Sequence, residues 1–250
     1  MLQASELSGF GIEPAAVSLR GTPEEVHVWR VPLDCPPLYI RRLTELLSAE
    51  ERERSTKFVF PCNRDHFITG RARLRLLLGR YLGKDPAALE FRYGYAGKPD
   101  LAGSGLPFNV SHSDGLALIA IGGPGRLGID VERIRPRRDP DSFRNFFAPA
   151  EEAAIDALPP ELRERAFFTC WTRKEAYIKG RGDGLSFGLD RFEVSVVPDF
   201  SAKLLRVLDD PSEIARWEIR SVDPAPEYAA ALAVEGHGWR LHSFDWRIFD

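Results

Sequence analysis

The chain has 250 residues, of which 44% are hydrophobic and 28% charged, with a formal net charge of -3. This composition excludes a disordered chain, and the length allows one large domain or two of about 100–150 residues each. The slightly acidic balance argues against a nucleic-acid partner, and no apolar run reaches the roughly 20 residues that cross a bilayer.

The cysteines point to a reducing compartment. Cys35, Cys62 and Cys170 are too few for a disulfide framework, and no Cys-x-x-Cys pair offers a zinc site. The first 14 residues lack the basic start and apolar stretch of a signal peptide. We therefore expect a cytoplasmic protein that does not associate with membranes.

The first half of the chain mixes strands with a long helix. Residues 25–31 alternate apolar and polar side chains, which predicts a strand. Ser48 followed by Glu51 predicts a capping box at the start of a short helix, and a longer helix is expected over 63–82, closed by a glycine. Two apolar runs within 106–121 flank an Asp-Gly turn and predict a hairpin.

The run Gly-Gly-Pro-Gly at 122–125 is the clearest break, so we place a boundary between an N-terminal half, 1–125, and a C-terminal half, 126–250. Helices are expected at about 149–158 and 162–179. Each half then consists of a long helix packed on antiparallel strands, and the fold class is α+β. The strands predicted after the last helix are 191–197, 203–207, 217–222, 228–234 and 239–249.

Two carboxylates lie two positions apart in a predicted strand. Asp130 and Glu132 share one strand face, while Ile129 and Val131 point to the other. With a third carboxylate they would form an oxygen site for Mg²⁺. A solvated acidic face is the alternative, and the pair alone does not decide between them.

A helix at 171–179 carries the complementary charges. Trp171, Glu175 and Lys179 are spaced i, i+4, so a carboxylate stands between an indole and an ammonium. With Lys174, this face suits a phosphate and a metal ion. An exposed Glu-Lys pair on an amphipathic helix is the simpler alternative.

The combination of segments is more specific than either alone. Gly-Ile-Asp-Val-Glu at 128–132 precedes Trp-x-x-Lys-Glu-Ala-x-x-Lys at 171–179, with Gly-Lys-Pro at 97–99 and Phe-Asn-Val-Ser-His-Ser at 108–113 upstream. This order resembles the phosphopantetheinyl transferase superfamily, in its larger, surfactin-synthetase-activating type. The resemblance implies a monomer of two similar halves, the first binding coenzyme A and the second catalytic.

The resemblance also implies an activity. Such an enzyme transfers 4'-phosphopantetheine from coenzyme A to a serine of an apo acyl or peptidyl carrier protein and releases adenosine 3',5'-bisphosphate. Mg²⁺ would be the cofactor, with Mn²⁺ possible in the same oxygen site. A basic surface formed by residues 133–138, Arg173 and Arg181 would receive an acidic carrier protein.

By similarity, each site residue has an expected role. Asp130, Glu132 and Glu175 would bind the metal, and Asp130 would also contact the coenzyme. Glu151 would be the general base, with its neighbour Glu152 or a metal-bound water as alternatives. Lys174 and Lys179 would contact the phosphates and also be catalytic, assisting the proton transfers. The other expected coenzyme contacts are Ser111 and His112 at the phosphates, Lys98 and Pro99 on the adenosine side, and Lys57, Arg64 and Arg71 at the 3'-phosphate.

Two other functions stay open on sequence grounds. A non-catalytic module that binds coenzyme A or a carrier protein could share this fold, because fold does not fix function. A Mg²⁺-dependent phosphotransferase that uses ATP is the second, although the sequence contains neither a P-loop nor the kinase motifs.

Overall fold

The computed structural model describes residues 23–94, 97–136, 146–198 and 201–246. Within these ranges the α-helices are α1 (Pro37–Glu45), α2 (Ala49–Thr56), α3 (Pro61–Leu82), α4 (Pro149–Asp156), α5 (Pro160–Arg181) and α6 (Glu213–Arg216). The strands are β1 (Glu25–Pro32), β2 (Phe91–Tyr93), β3 (Pro99–Leu101), β4 (Phe108–Ser113), β5 (Leu116–Gly122), β6 (Leu127–Arg133), β7 (Phe192–Val194), β8 (Leu204–Val207), β9 (Trp217–Val222), β10 (Tyr228–Glu235) and β11 (Arg240–Asp245). Short 3₁₀ turns lie at Pro86–Ala88, Gly184–Phe187 and Leu189–Arg191.

Two sheets form the centre of the molecule. The first has the order β11-β1-β5-β4 and the second the order β6-β10-β9, and two small hairpins pair β2 with β3 and β7 with β8. This mixture of helices and largely antiparallel strands confirms the predicted α+β class.

The last strand departs from the predicted arrangement. β11 was expected among the strands of the second half, but it joins the first sheet and runs parallel to β1. His242, for example, lies opposite His27. The chain therefore crosses back to its N-terminal half after β10, which the proposed division at residue 125 does not anticipate.

Local signals define the helix ends as predicted. Ser48 Oγ accepts a hydrogen bond from the Glu51 amide, and Glu51 Oε2 accepts one from the Ser48 amide at 2.9 Å, so the capping box is confirmed. Helix α3 ends at Gly83, whose φ of +62° is a left-handed conformation that glycine adopts without steric cost.

The apolar residues divide into layers. Leucines of α3 pack on one face of the first sheet, and α5 packs on one face of the second. The remaining faces of the two sheets pack against each other through residues such as Val28, Leu118, Ile129 and Leu232. The layers are therefore helix, sheet, sheet and helix, as expected when each apolar sheet face must be covered. None of the helices in the described ranges has the length and apolar content needed to cross a membrane.

Helix α5 lies unusually close to β6 because two glycines face each other. A Cβ added to Gly128 would overlap the carbonyl oxygen of Ala176 and lie 2.8 Å from the carbonyl carbon of Lys179. A Cβ added to Gly180 would lie 2.6 Å from Cζ3 of Trp217. This contact brings the C-terminal turns of α5 next to residues 130–132 of β6.

We predict that Gly128→Ala lowers the free energy of unfolding by about 2–3 kcal/mol or more, because the methyl group meets rigid backbone atoms. Urea denaturation measures the effect. Gly94→Ala is the matched control, since its Cβ would meet its nearest neighbour, the Lys98 carbonyl oxygen, at 3.9 Å. Equal stability of the two variants would show that α5 and β6 can move apart without cost.

Candidate active site

Polar side chains of β4 join the two sheets at their edges. Asn109 Oδ1 accepts a hydrogen bond from the Ile129 amide at 2.9 Å. Two residues further along β4, Ser111 Oγ donates to Asp130 Oδ1 at 2.8 Å. Asn109 and Ser111 point to the same face of the strand, because side chains alternate along it. Their bonds fix the position of the Asp130 carboxylate on β6.

Helix α5 adds an ammonium to this carboxylate. Lys179 Nζ lies 2.6 Å from Asp130 Oδ1 and 3.0 Å from Ser111 Oγ. The Asp130 side chain is almost fully buried, whereas that of Lys179 is 30% exposed. The structure therefore brings together three of the predicted site residues and leaves the lysine accessible from one side.

Two further carboxylates surround this ion pair. Glu132 follows on the same face of β6, and its Oε2 accepts a hydrogen bond from Ser113 Oγ at 2.8 Å. Glu175 precedes Lys179 by one turn of α5. Desolvation raises the pKa of Glu132 and of Glu175, and the charge of Asp130 raises both further. We refer to Asp130, Glu132 and Glu175 as the carboxylate cluster.

The carboxylate cluster has more negative charge than Lys179 neutralises. Asp130 Oδ2 is buried and has no hydrogen-bond partner within the described part of the chain. An unpaired buried oxygen among repelling carboxylates fits a bound cation, and oxygen ligands suit Mg²⁺. However, no three His, Cys, Asp or Glu side chains in the described ranges are already arranged to hold a metal ion. Metal binding therefore stays a prediction.

Two adjoining clefts lie beside the carboxylate cluster. The larger cleft, of about 580 Å³, lies between α3 and β4. The smaller cleft, of about 410 Å³, has Glu175 and Lys179 in its wall. Pro99 and Val110 line both. The polar residues of the larger cleft are Arg54, Cys62, Asn63, His66, Arg71, His112 and Asp114.

His112 lies on the opposite face of β4 from the two serines and lines the larger cleft. Its pKa is lowered first by desolvation and then by the positive charge of Lys179. Its imidazole is therefore mostly neutral at pH 7 and can donate or accept a hydrogen bond.

Comparison with known proteins identifies the family. A family model described as the 4'-phosphopantetheinyl transferase superfamily matches residues 126–233. The 4'-phosphopantetheinyl transferase HetI of Nostoc sp. is 40% identical over 222 residues, which cover 87% of this chain and 90% of HetI. The chain belongs to the 4'-phosphopantetheinyl transferase superfamily. The resemblance inferred from residues 128–132 and 171–179 is thereby confirmed.

Other known proteins are also similar to this chain. A 4'-phosphopantetheinyl transferase of Bacillus subtilis is 31% identical over 192 residues, covering 76% of this chain and 83% of that protein. Among solved structures, the holo-[acyl-carrier-protein] synthase AcpS of Thermotoga maritima matches with a TM-score of 0.36 and 21% identity. That match covers 44% of this chain and 62% of that chain.

One of the three predicted 3'-phosphate contacts of this transferase lies in the larger cleft. Arg71 lines the cleft, with its guanidinium 5.0 Å from the ring centre of Phe91 and 3.5 Å from Glu51 Oε1. Its Nη1 is buried and has no hydrogen-bond partner among the described residues. A guanidinium nitrogen is therefore left without an acceptor beside the cleft.

The other two basic residues lie outside the lining of this cleft. Lys57 and Arg64 are exposed and pair with acidic neighbours at 2.9 Å. The sequence reasoning missed Arg54, Asn63 and His66, which line the cleft instead. The face of α3 that lines the cleft comprises Asn63, His66, Phe67, Gly70, Arg71 and Leu74. Helical spacing groups these residues, but which face of α3 meets the cleft depends on tertiary packing.

Of the predicted adenosine-side contacts, Pro99 lines both clefts, whereas Lys98 lines only the smaller one. Lys98 Nζ donates to the carbonyl oxygens of Leu127 and Lys179, each at 2.8 Å. Burial lowers the pKa of Lys98 to about 8. The ammonium thus links the N-terminal half to β6 and α5, and the bonds it makes are to the protein backbone.

Glu151 and Lys174 are not brought to the carboxylate cluster. Lys174 Nζ lies 2.7 Å from Glu151 Oε2, and both side chains are almost completely buried. Lys174 also donates to the Leu189 carbonyl oxygen at 2.8 Å, and Glu151 Oε1 accepts from the Val194 amide at 2.7 Å. Burial raises the pKa of Glu151, which the charge of Lys174 partly offsets. This geometry favours a structural ion pair over the predicted catalytic roles.

The predicted docking surface for a carrier protein is also changed by the structure. Arg173 is fully buried, and its guanidinium donates to Ser195 and Ser221. It therefore offers nothing to a partner. Arg133 and Arg135 are exposed, and each pairs with Asp114 at 2.5 Å. Residues 137 and 138 lie outside the described ranges.

We predict that Lys174→Met lowers the free energy of unfolding by about 3–5 kcal/mol, because it leaves the Glu151 carboxylate buried without its partner. Urea denaturation followed by circular dichroism measures the loss. Lys84→Met, at an exposed position, is the control and should change stability little. If Lys174→Met kept full stability and lost only catalysis, the pair would instead have a direct role in the reaction.

Proposed function

We propose that this transferase moves the 4'-phosphopantetheine group of coenzyme A to a serine hydroxyl of an apo acyl or peptidyl carrier protein. Adenosine 3',5'-bisphosphate is the product that leaves. The observation behind the proposal is the position of the carboxylate cluster and Lys179 beside two adjoining clefts. A coenzyme with several phosphates needs both basic contacts and charge stabilisation at the reacting phosphorus.

Cation binding is assigned to the carboxylate cluster. Asp130, Glu132 and Glu175 would hold Mg²⁺, and Mn²⁺ would fit the same ligands. When bound, the cation would offset the negative charge that develops on the pyrophosphate as its phosphorus–oxygen bond breaks. The unpaired Asp130 Oδ2 and the raised pKa values of Glu132 and Glu175 support this assignment.

Lys179 is assigned to a phosphate oxygen. A lysine ammonium has three N–H donors, and Asp130 and Ser111 accept two of them. The third is available from the exposed side of Lys179, which faces the smaller cleft. The bonds to Asp130 and Ser111 hold the ammonium in place before the substrate arrives.

The larger cleft is assigned to the adenosine and 3'-phosphate of the coenzyme. Its volume is in the range of about 300–1,000 Å³ that small-molecule sites usually have. Arg71 has an unpaired buried guanidinium nitrogen, and His112 adds a neutral imidazole. Guanidinium groups bind phosphate with charge-assisted hydrogen bonds.

The attacking serine must give up its proton, and Glu151 is poorly placed to accept it. Both Glu151 oxygens accept hydrogen bonds in the core between α5 and the second sheet, from Lys174, Val194 and Ala148. We therefore assign proton removal to a group that faces the clefts.

A monomeric state stays a prediction from the resemblance to the larger transferases. A cytoplasmic location stays a prediction from the sequence.

Intact-mass spectrometry of an apo carrier protein tests the proposed function. With coenzyme A and Mg²⁺ the carrier should gain the mass of one phosphopantetheine, and a chelator should prevent the gain. Asp130→Asn and Glu175→Gln should slow transfer by about 100- to 1,000-fold, because each removes a ligand of the cation that would offset charge in the transition state. Glu175→Gln should leave stability unchanged or slightly higher, since it removes a repelling carboxylate.

Asp209→Asn is the control, because Asp209 is an exposed carboxylate that pairs with Arg191 away from the cluster. It should transfer at the wild-type rate. A protein that binds coenzyme A but modifies no member of a carrier panel would be the non-catalytic module. Modification that persists in both cluster variants would show that the reaction occurs elsewhere.

The assignment of Arg71 gives a prediction about substrate discrimination. Arg71→Ala should lower the ratio of kcat/KM for coenzyme A to that for 3'-dephospho-coenzyme A by about 10- to 100-fold. The reason is that it removes a charged hydrogen bond to the 3'-phosphate. Arg64→Ala, an exposed arginine outside the cleft lining, should leave this ratio unchanged. An unchanged ratio in Arg71→Ala would place the 3'-phosphate in another part of the cleft.

A further inference from the structure

The hydroxyl of Ser113 has a defined direction. Ser113 Oγ accepts a hydrogen bond from the Arg133 amide at 3.2 Å and lies 2.8 Å from Glu132 Oε2. A carboxylate oxygen can only accept, so the hydroxyl hydrogen must point to Glu132. The backbone of β6 thus fixes one side of the serine, and the serine holds one oxygen of the glutamate.

The same arrangement occurs two residues earlier. Ser111 Oγ accepts from Lys179 Nζ at 3.0 Å and donates to Asp130 Oδ1 at 2.8 Å. Each carboxylate of β6 therefore has one oxygen held by a serine of β4. In Asp130 the second oxygen, Oδ2, is the buried atom without a partner in the described structure.

Glu132 needs this restraint more than Asp130 does. It has one more rotatable bond, it is less buried, and it experiences the like charge of Asp130. An unrestrained glutamate would turn away from that charge and would lose more rotamer freedom on binding a cation. Outer hydrogen bonds that orient ligating carboxylates are a common feature of metal sites.

We propose that Ser113 is a positioning residue: its hydroxyl holds Glu132 Oε2 so that Glu132 is oriented for cation binding beside Asp130. The inference rests on the proposed function in one respect, that the carboxylate cluster binds a divalent cation. It adds to that function a residue of β4 that acts only through Glu132.

Binding of Mn²⁺ to the free protein, followed by electron paramagnetic resonance without coenzyme A, tests the proposal. Ser113→Ala should weaken Mn²⁺ binding by about 10- to 100-fold, the usual effect of removing such an outer contact. Ser113→Thr keeps the hydroxyl and should bind like the wild type. In transfer assays, Ser113→Ala should need a correspondingly higher Mg²⁺ concentration for half-maximal rate and recover most of its rate at saturation.

The chain offers a matched control. Ser212 Oγ donates to Asp210 Oδ1 at 2.5 Å on the surface, so Ser212→Ala removes the same type of bond outside the site. It should change neither Mn²⁺ binding nor Mg²⁺ dependence. Should Ser113→Ala fail to fold, Ser113→Cys makes the same comparison with a weak donor of similar size, and weakened Mn²⁺ binding is again expected.

The outcomes separate this inference from the proposed function. If Ser113→Ala binds Mn²⁺ as the wild type does while Asp130→Asn does not, the role of Ser113 is refuted and the cation site stands. If Ser113→Ala loses stability and rate but keeps its Mn²⁺ affinity and Mg²⁺ dependence, Ser113 is only structural and the inference is again refuted. Transfer that needs no divalent cation in any variant would refute the cation-binding role of the carboxylate cluster, on which the inference rests. A wild-type protein that modifies no carrier protein would refute the proposed function itself.

Discussion

The structure depends on one small junction, where the Asp130 carboxylate meets Ser111 of the first sheet and Lys179 of α5. These bonds connect the two halves of the chain at the edges of their sheets. The bonds of Lys179 form because α5 approaches β6 closely, and Gly128 and Gly180 allow that approach. The packing of two glycines thus determines where the ammonium meets Asp130 and Ser111.

The carboxylate cluster is an electrostatic cost to the folded protein. Glu132 and Glu175 lie near Asp130, and their pKa values are raised by desolvation and by the charge of Asp130. A sequence selected for stability alone would not place three acidic side chains around one lysine. Conflicts of this kind usually mark functional sites, because the unfavourable charge is resolved when a ligand binds.

Local patterns were sufficient to predict most of the fold. The capping box at Ser48, the long helices, the hairpin around the Asp-Gly turn and the shared face of Asp130 and Glu132 all depend on neighbours in sequence. The parallel pairing of β11 with β1 could not be predicted in this way. It joins residues more than 200 positions apart, and the strand pattern of 239–249 carries no information about its partner.

The sequence predicts those parts of the candidate site in which residues share one face of a strand or helix through their spacing. Burial was the quantity that the sequence could not supply. Glu151 and Lys174 look like accessible charged residues in sequence, yet each neutralises the other in the buried core around α5. Lys98 likewise bonds to backbone carbonyls of the other half, which no motif reveals. Arg64 was misplaced because the register of α3 relative to the cleft depends on tertiary packing.

A crystal structure with coenzyme A and Mn²⁺, read by anomalous diffraction, tests the central claim most directly. We expect a Mn²⁺ peak at about 2.0–2.2 Å from oxygens of Asp130, Glu132 and Glu175, similar to the distances for small hard cations. We also expect the pyrophosphate beside Lys179 and the adenosine in the cleft between α3 and β4. A metal peak away from these carboxylates, or a coenzyme bound outside both clefts, would contradict the account.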